Sequence, residues 1–232
     1  MCAVFKHQLL LRISLNHLNQ MACRLLVYLL IDTSNLMKGE PIEPIKVGIE
    51  AMLTTLCNDP YDLETVNISI IIYDREVNQS LPLTPIDELQ VPEITTPDNG
   101  PTHMGTTLEM LIEKVDKEVN KDTQNPKEDW MPLLLLINNG KPSNNQYYNN
   151  LVLKIKCNKF ATIVYCATVP KAKTDELHQL TDKVYQIDTL DSSTHMKFFK
   201  WVSDIIGEGN KPMRATDELV LPPPPEEIKI VI

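Results

Sequence analysis

Apolar positions along the chain switch repeatedly between unbroken runs and helical spacing. The run from Leu25 to Ile31 follows Arg24 and is closed by Asp32. A run without polar alternation predicts a strand buried on both faces. Ile42, Ile45, Ile49, Met52, Leu53 and Leu56 recur at helical spacing, with Pro41 and Pro44 in the first turn, where backbone donors lack helical partners. Asn58-Asp59-Pro60 is expected to stop that helix. Val66 to Tyr73 reads as a second strand, ending at Asp74. Val77 to Leu83 alternates and contains Pro82, which predicts an edge strand paired as a hairpin. After a proline-rich loop from Thr84 to Pro101, with at most a short helix near Ile86 to Leu89, Met104, Leu108, Leu111, Ile112, Val115 and Val119 mark an amphipathic helix.

The second half repeats the alternation. Trp130 to Ile137 predicts a buried strand, and a helix follows from about Ser143 through Ile155. Ala161 to Ala167 and Val184 to Ile187 read as strands, with a short helix from Asp175 to Thr181 between them. The last helix carries Met196, Phe199, Val202 and Ile206. Strands alternating with helices imply an α/β fold: a doubly wound, mostly parallel, Rossmann-like sheet with one antiparallel edge hairpin and helices on both faces. Ligands bind such sheets outside the carboxyl ends of the strands. That rule directs attention to Asp32 to Leu36, to Thr102 and its neighbours, and to Asn138 to Pro142.

Composition narrows the function. The 232 residues are 43% hydrophobic, too apolar for a disordered chain and enough for one sizeable core. Acidic residues outnumber basic ones, 31 to 22, and the resulting charge of −9 disfavours nucleic-acid partners. Seven glycines against 17 prolines weigh against glycine-rich nucleotide loops. The five cysteines form no Cys-x-x-Cys pair, so buried free thiols in a reducing compartment are expected, with neither disulfides nor zinc. No apolar run reaches the roughly 18 residues of a membrane span, so no membrane insertion is expected.

Three divisions are expected: residues 1–20 as an extension that is no secretory signal, or a mis-called start; 21–210 as the domain; and 211–232 as a proline-rich tail. In the tail, Leu221 to Pro225 should be a stiff spacer delivering the strand-like Ile228 to Ile232 to a sheet edge. That edge would belong to the protein's own body, to a second copy in a homo-oligomer or to another partner, in that order of preference. Tyr147 and Tyr148 are expected partly buried on their helix, and His178 and His195 at the surface or at helix ends.

Asp32-Thr33-Ser34-Asn35-Leu36, Gly100 to Gly105 and Ile137 to Pro142 follow one another in an order that resembles the metal-ion-dependent adhesion site of von Willebrand factor type A domains. That family combines Asp-x-Ser-x-Ser with a distant threonine and a distant aspartate, an oxygen set suited to magnesium. Val27 to Ser34, Gly39 to Glu43, Asn58 to Val66, Pro82 to Pro85, Trp130 to Leu133 and Leu221 to Ile228 are similar to one branch, the tellurium-resistance protein TerY and its relatives. The resemblance implies a non-catalytic interaction module, an adaptor in the bacterial cytoplasm serving tellurite or other stress resistance. Its implied partners are a phosphatase, a kinase or another stress-cluster protein.

Two departures stand out: Leu36 replaces the second serine and Asn139 the aspartate. One oxygen ligand and one charge are lost. The expectation is a degenerate metal site at Asp32, Ser34 and Thr102, with no cofactor or weakly bound magnesium. Asn35, Leu36, His103 and Asn139 would form the binding face. The alternative is a phosphotransfer or phosphatase-type enzyme using Asp32. Such phosphatases want a second acid two residues on, where Ser34 stands, and receiver domains want an acidic pair ahead of the aspartate, which is missing. A purely structural role for Asp32, closing the chain after a buried strand, is the third reading.

Overall fold

The run that lacks polar alternation becomes the middle of the sheet. In the computed structural model, which describes residues 23–39, 41–96, 103–119, 129–138, 145–157, 160–168, 177–210 and 219–231, β1 is Leu25–Asp32 and every one of its residues is buried. The other strands are β2 (Val66–Tyr73), β3 (Val77–Pro85), β4 (Leu133–Asn138), β5 (Thr162–Ala167), β6 (Val184–Gln186) and β7 (Lys229–Val231). They form one sheet in the order β3-β2-β1-β4-β5-β6-β7. β2, β1, β4, β5 and β6 run parallel, whereas β3 and β7 are antiparallel to their neighbours. β3 is the expected hairpin strand, and β7 adds a second antiparallel edge at the opposite side.

Each face of the sheet carries its own core. Leu25, Val27, Leu29 and Ile31 pack with α1 (Ile42–Leu56) and α5 (Ser192–Gly209). Leu26, Tyr28 and Leu30 point the other way, toward α3 (Met104–Glu118) and α4 (Asn145–Cys157). Successive strand side chains alternate between faces, so a run with no polar members feeds both cores at once. Of the other strand residues expected inside, Ile68, Ile70, Leu134, Leu136 and Tyr165 are buried, while Ile72 and Ile163 are half-buried.

Asn58-Asp59-Pro60 does end α1, but it also starts the short α2 (Pro60–Thr65). The Asp59 carboxylate accepts from the backbone N–H groups of Tyr61, at 2.8 Å, and Asp62, at 3.2 Å, and Pro60 takes the first turn. An aspartate cap ahead of proline is a helix start as much as a stop. In place of a helix near Ile86 to Leu89 there is a turn, and a short 3-10 helix covers Leu177–Gln179.

Two further expectations are corrected. Cys166 is the buried thiol, whereas Cys57 and Cys157 are exposed and Cys23 is intermediate; all four are unpaired. Helical period, not cysteine's apolar preference, sets the facing of Cys157 at the end of α4. His195 lies in the first turn of α5 as expected, but it is fully buried there, not at the surface. Its Nδ1 lies 3.0 Å from the Asp191 carbonyl and its Nε2 has no partner among the described residues. His178 sits in the 3-10 turn, half-buried; Tyr148 is buried and Tyr147 half-buried. Residues 1–20 lie outside the described residues. Among the described residues no helix is long and apolar enough to cross a membrane.

α1 and α5 approach closely at Gly48. A Cβ there would fall 2.1 Å from Cδ2 of Phe199, a ring that is itself buried. Gly48→Ala should therefore lower stability by about 1–3 kcal/mol. Helix propensity alone would raise it by about 1 kcal/mol, so the sign of the shift in a urea melt separates packing from propensity. His195 yields a second expectation. Burial lowers its pKa below the ordinary value of 6.5. The neutral form is favoured in the folded state, so its contribution is present above the unfolded pKa and is lost as pH falls below it toward the depressed folded value. Melting temperature should fall more steeply from pH 7 to 5 in the wild type than in His195→Gln.

Candidate functional site

Parallel strands end together, so their carboxyl ends place Asp32, Tyr73, Asn138 and Ala167 along one rim of the sheet. Asp32 is fully buried, as is Thr33, and Ser34 is 2% exposed. The Ser34 backbone N–H donates to Asp32 Oδ1 at 2.7 Å. The Thr33 N–H donates to the Tyr73 carbonyl at 2.8 Å, carrying the strand bonding one residue past β1. The chain then rises into a 3-10 turn, Asn35–Met37, in which the Met37 N–H donates to the Ser34 carbonyl at 2.8 Å. Gly39 leaves that turn at a φ of +80°, a conformation that favours glycine.

This turn splits the motif in two. Met37 drops into the core, where the Thr168 hydroxyl meets its sulfur at 3.6 Å. Asn35 and Leu36 face outward, and Leu36 is 69% exposed. The position that would offer a hydroxyl in the family pattern instead presents an apolar side chain to solvent.

The neighbouring strand end carries Asp74, a site residue outside the adhesion-site motif. Its Oδ2 accepts from the Thr33 hydroxyl at 3.1 Å, and its carbonyl accepts from the His103 N–H at 2.9 Å. His103 occupies the cap position before α3, and its carbonyl accepts from both the N–H and the hydroxyl of Thr107. Asp74 thus ties the first loop to the start of α3. The signal was available: Asp74 closes a buried strand that an alternating fold must put beside β1. Thr102 and Asn139 lie outside the described residues.

Below the rim, Tyr73, Tyr148 and Tyr165 are fully buried. The Tyr73 hydroxyl donates to the Ile137 carbonyl at 3.4 Å. Burial first, and then the Asp32 charge, push the Tyr73 hydroxyl well above its ordinary range. Tyr165 is pushed up by burial, then by Tyr73, Tyr148 and Asp32, and its hydroxyl has no partner among the described residues. The Tyr73 and Tyr165 phenols stay protonated. Nothing in a strand of β-branched and aromatic residues announces such a floor, because it comes from three separate elements.

Of the expected metal ligands, Asp32 and Ser34 fall among the described residues. Magnesium wants near-octahedral oxygen ligation. Asp32 and Ser34 supply the oxygens, Leu36 supplies none, and among the described residues no three His, Cys, Asp or Glu side chains group to hold a metal. The chemistry on offer is a carboxylate that accepts from a backbone N–H, a threonine hydroxyl bonded to Asp74 and a projecting leucine. No second acid stands two residues after Asp32, where Ser34 closes back on the carboxylate.

A family model described as the von Willebrand factor type A domain matches residues 27–200. No curated protein matches the chain in sequence. Among solved structures, the chain is similar to proximal thread matrix protein 1 from the mussel byssus with a zinc-occupied MIDAS motif (16% identity, TM-score 0.58), covering 78% of this chain and 48% of that one. It is similar to a von Willebrand factor type A protein from Catenulispora acidiphila (14% identity, TM-score 0.58), covering 82% and 43%. It is also similar to the manganese-loaded TRAP protein of Plasmodium vivax (15% identity, TM-score 0.50), covering 76% and 73%. The chain spans less than half the length of the first two, and identities this low speak to fold alone.

Asp32→Ala would leave the buried Ser34 N–H without its acceptor, so it should cost about 1–3 kcal/mol even in chelator-treated buffer. Asp32→Asn keeps an acceptor oxygen and should cost less. Thermal melts of both variants without divalent ions check this, and equal losses would contradict the bonding described.

Proposed function

The chain belongs to the von Willebrand factor type A domain family, and from that premise we propose a non-catalytic protein-binding module whose metal site is degenerate. Domains of this family are interaction and adhesion modules. The observation that carries the reading is the opposed facing of Asp32 and Leu36. The carboxylate is drawn inward onto Ser34 N–H, while the ligand position beyond it shows an exposed leucine. A metal-bridged partner needs the reverse, with oxygens turned out and the rim polar. Binding here rests on contact with Leu36 and Asn35 and on hydrogen bonds to the loop, with His103 at the α3 start and Asn139 completing the face. Asp32, Ser34 and Thr102 retain at most weak magnesium affinity.

The partner is a protein. The resemblance of the short motifs to the TerY branch supports an adaptor in a bacterial stress-resistance complex, with a phosphatase or kinase as the counterpart. Unpaired thiols at Cys23, Cys57, Cys157 and Cys166 support a reducing, cytoplasmic setting.

Magnesium titration tests the site. Millimolar magnesium should move the wild-type melting temperature by less than about 1 °C. The double change Leu36→Ser with Asn139→Asp should restore a dependence of about 5–10 °C at a hundredfold excess over Kd. A wild type already stabilised by magnesium, with the effect lost in Asp32→Ala, overturns the degenerate reading.

A further inference from the structure

Residues 219–231 lie across the far edge of the sheet through three kinds of contact, none of them at the Asp32 rim. The first is to the proline stretch. Trp201 of α5 donates its indole N–H to the Pro222 carbonyl at 2.9 Å. Its ring meets Tyr185 of β6 edge-on, with centroids 4.8 Å apart, and Phe198 at 5.8 Å. Leu221 packs on the same core. Proline segments carry unbonded carbonyls on a pre-set extended backbone, and an aromatic shelf with an indole donor reads both features.

The second contact is a plug. After the turn closed by the Ile228 N–H on the Pro225 carbonyl, Ile228 is buried, 4% exposed, in the core that holds Trp201 and Tyr185. The third is strand addition: Val231, Ile230 and Lys229 pair antiparallel with Val184, Tyr185 and Gln186. Ion pairs from Lys197 to Glu227 and from Lys229 to Asp188 flank this ladder. Exposed pairs of that sort add little affinity but help to set register.

We infer that the β6 edge with Tyr185 and Trp201 is a peptide-recognition groove, filled by the chain's own tail and able to accept the same tail from a second copy. The connection makes exchange feasible. Leu219 Cδ2 lies only 3.6 Å from where a Gly209 Cβ would stand, so the chain leaves the end of α5 and returns beside it after residues 211–218. Release of these contacts frees residues 219–231 as one unit. Eight residues can extend over about 25–30 Å, enough to hand the tail to a neighbouring body. Every contact is then reproduced between copies, which is the low-cost route to a swapped dimer. The tethered tail sees its own groove at an effective concentration on the order of millimolar, so the closed monomer dominates in dilute solution.

The test inserts a protease-cleavage sequence within residues 211–218 and cuts it after folding. The probe is a fluorescein-labelled synthetic peptide of residues 219–232. Cut protein should bind it by anisotropy, and the uncut chain should bind it at least about tenfold more weakly, because its own tail competes. Trp201→Phe, which keeps a ring and loses the indole N–H, should weaken the peptide on cut protein by about tenfold. A cut protein that keeps its melting transition yet ignores the peptide overturns the groove, as does binding that Trp201→Phe leaves unchanged. Should cutting unfold the body, the intact chain decides. A dimer that grows with concentration in sedimentation and is dispersed by excess peptide supports exchange; a chain that stays monomeric at millimolar concentration overturns it.

Discussion

Burial of the parallel strands on both faces is the constraint from which the rest follows. β1 has no exposed residue, and its neighbours β2 and β4 are nearly as closed. A strand in that position has room for few polar groups before it ends, and those it holds are bonded, as Ser69 is to the Leu81 carbonyl. Polar function is thereby pushed to the carboxyl rim, where the chain turns toward the next helix and backbone N–H groups become available. Asp32, Asp74 and Asn138 stand there because the sheet leaves few other places for them.

At the rim, satisfying buried polar groups competes with binding. The Asp32 carboxylate accepts from Ser34, and Thr33 reaches Asp74. These bonds stabilise the loop and hold it inward. Leu36 projects beside them and its side chain offers no polar atom.

The two edges of the sheet face a different problem, since open strands invite pairing. β3 answers with Pro82, Pro85 and two register irregularities. β6 is covered by β7, whose own hold comes from the Trp201 bond and the Ile228 plug as much as from its three ladder pairs. One edge is protected by local chemistry and the other by a segment distant in sequence.

Hydrophobic period determined the alternating α/β plan and the parallel character of the centre; with Pro82 it gave the antiparallel β3 edge, and with the polar strand ends the rim on which Asp32, Ser34 and His103 sit. These are legible because burial is periodic and strand ends carry polar residues. Facing was not legible. That Leu36 projects while Met37 is buried depends on a single 3-10 turn, and that His195 is enclosed depends on what packs over the first turn of α5. The tyrosine floor and the docking of Pro222 on Trp201 join residues far apart along the chain, through contacts that no spacing rule encodes. Local pattern sets which residues are inside; only the tertiary structure decides which of them meet.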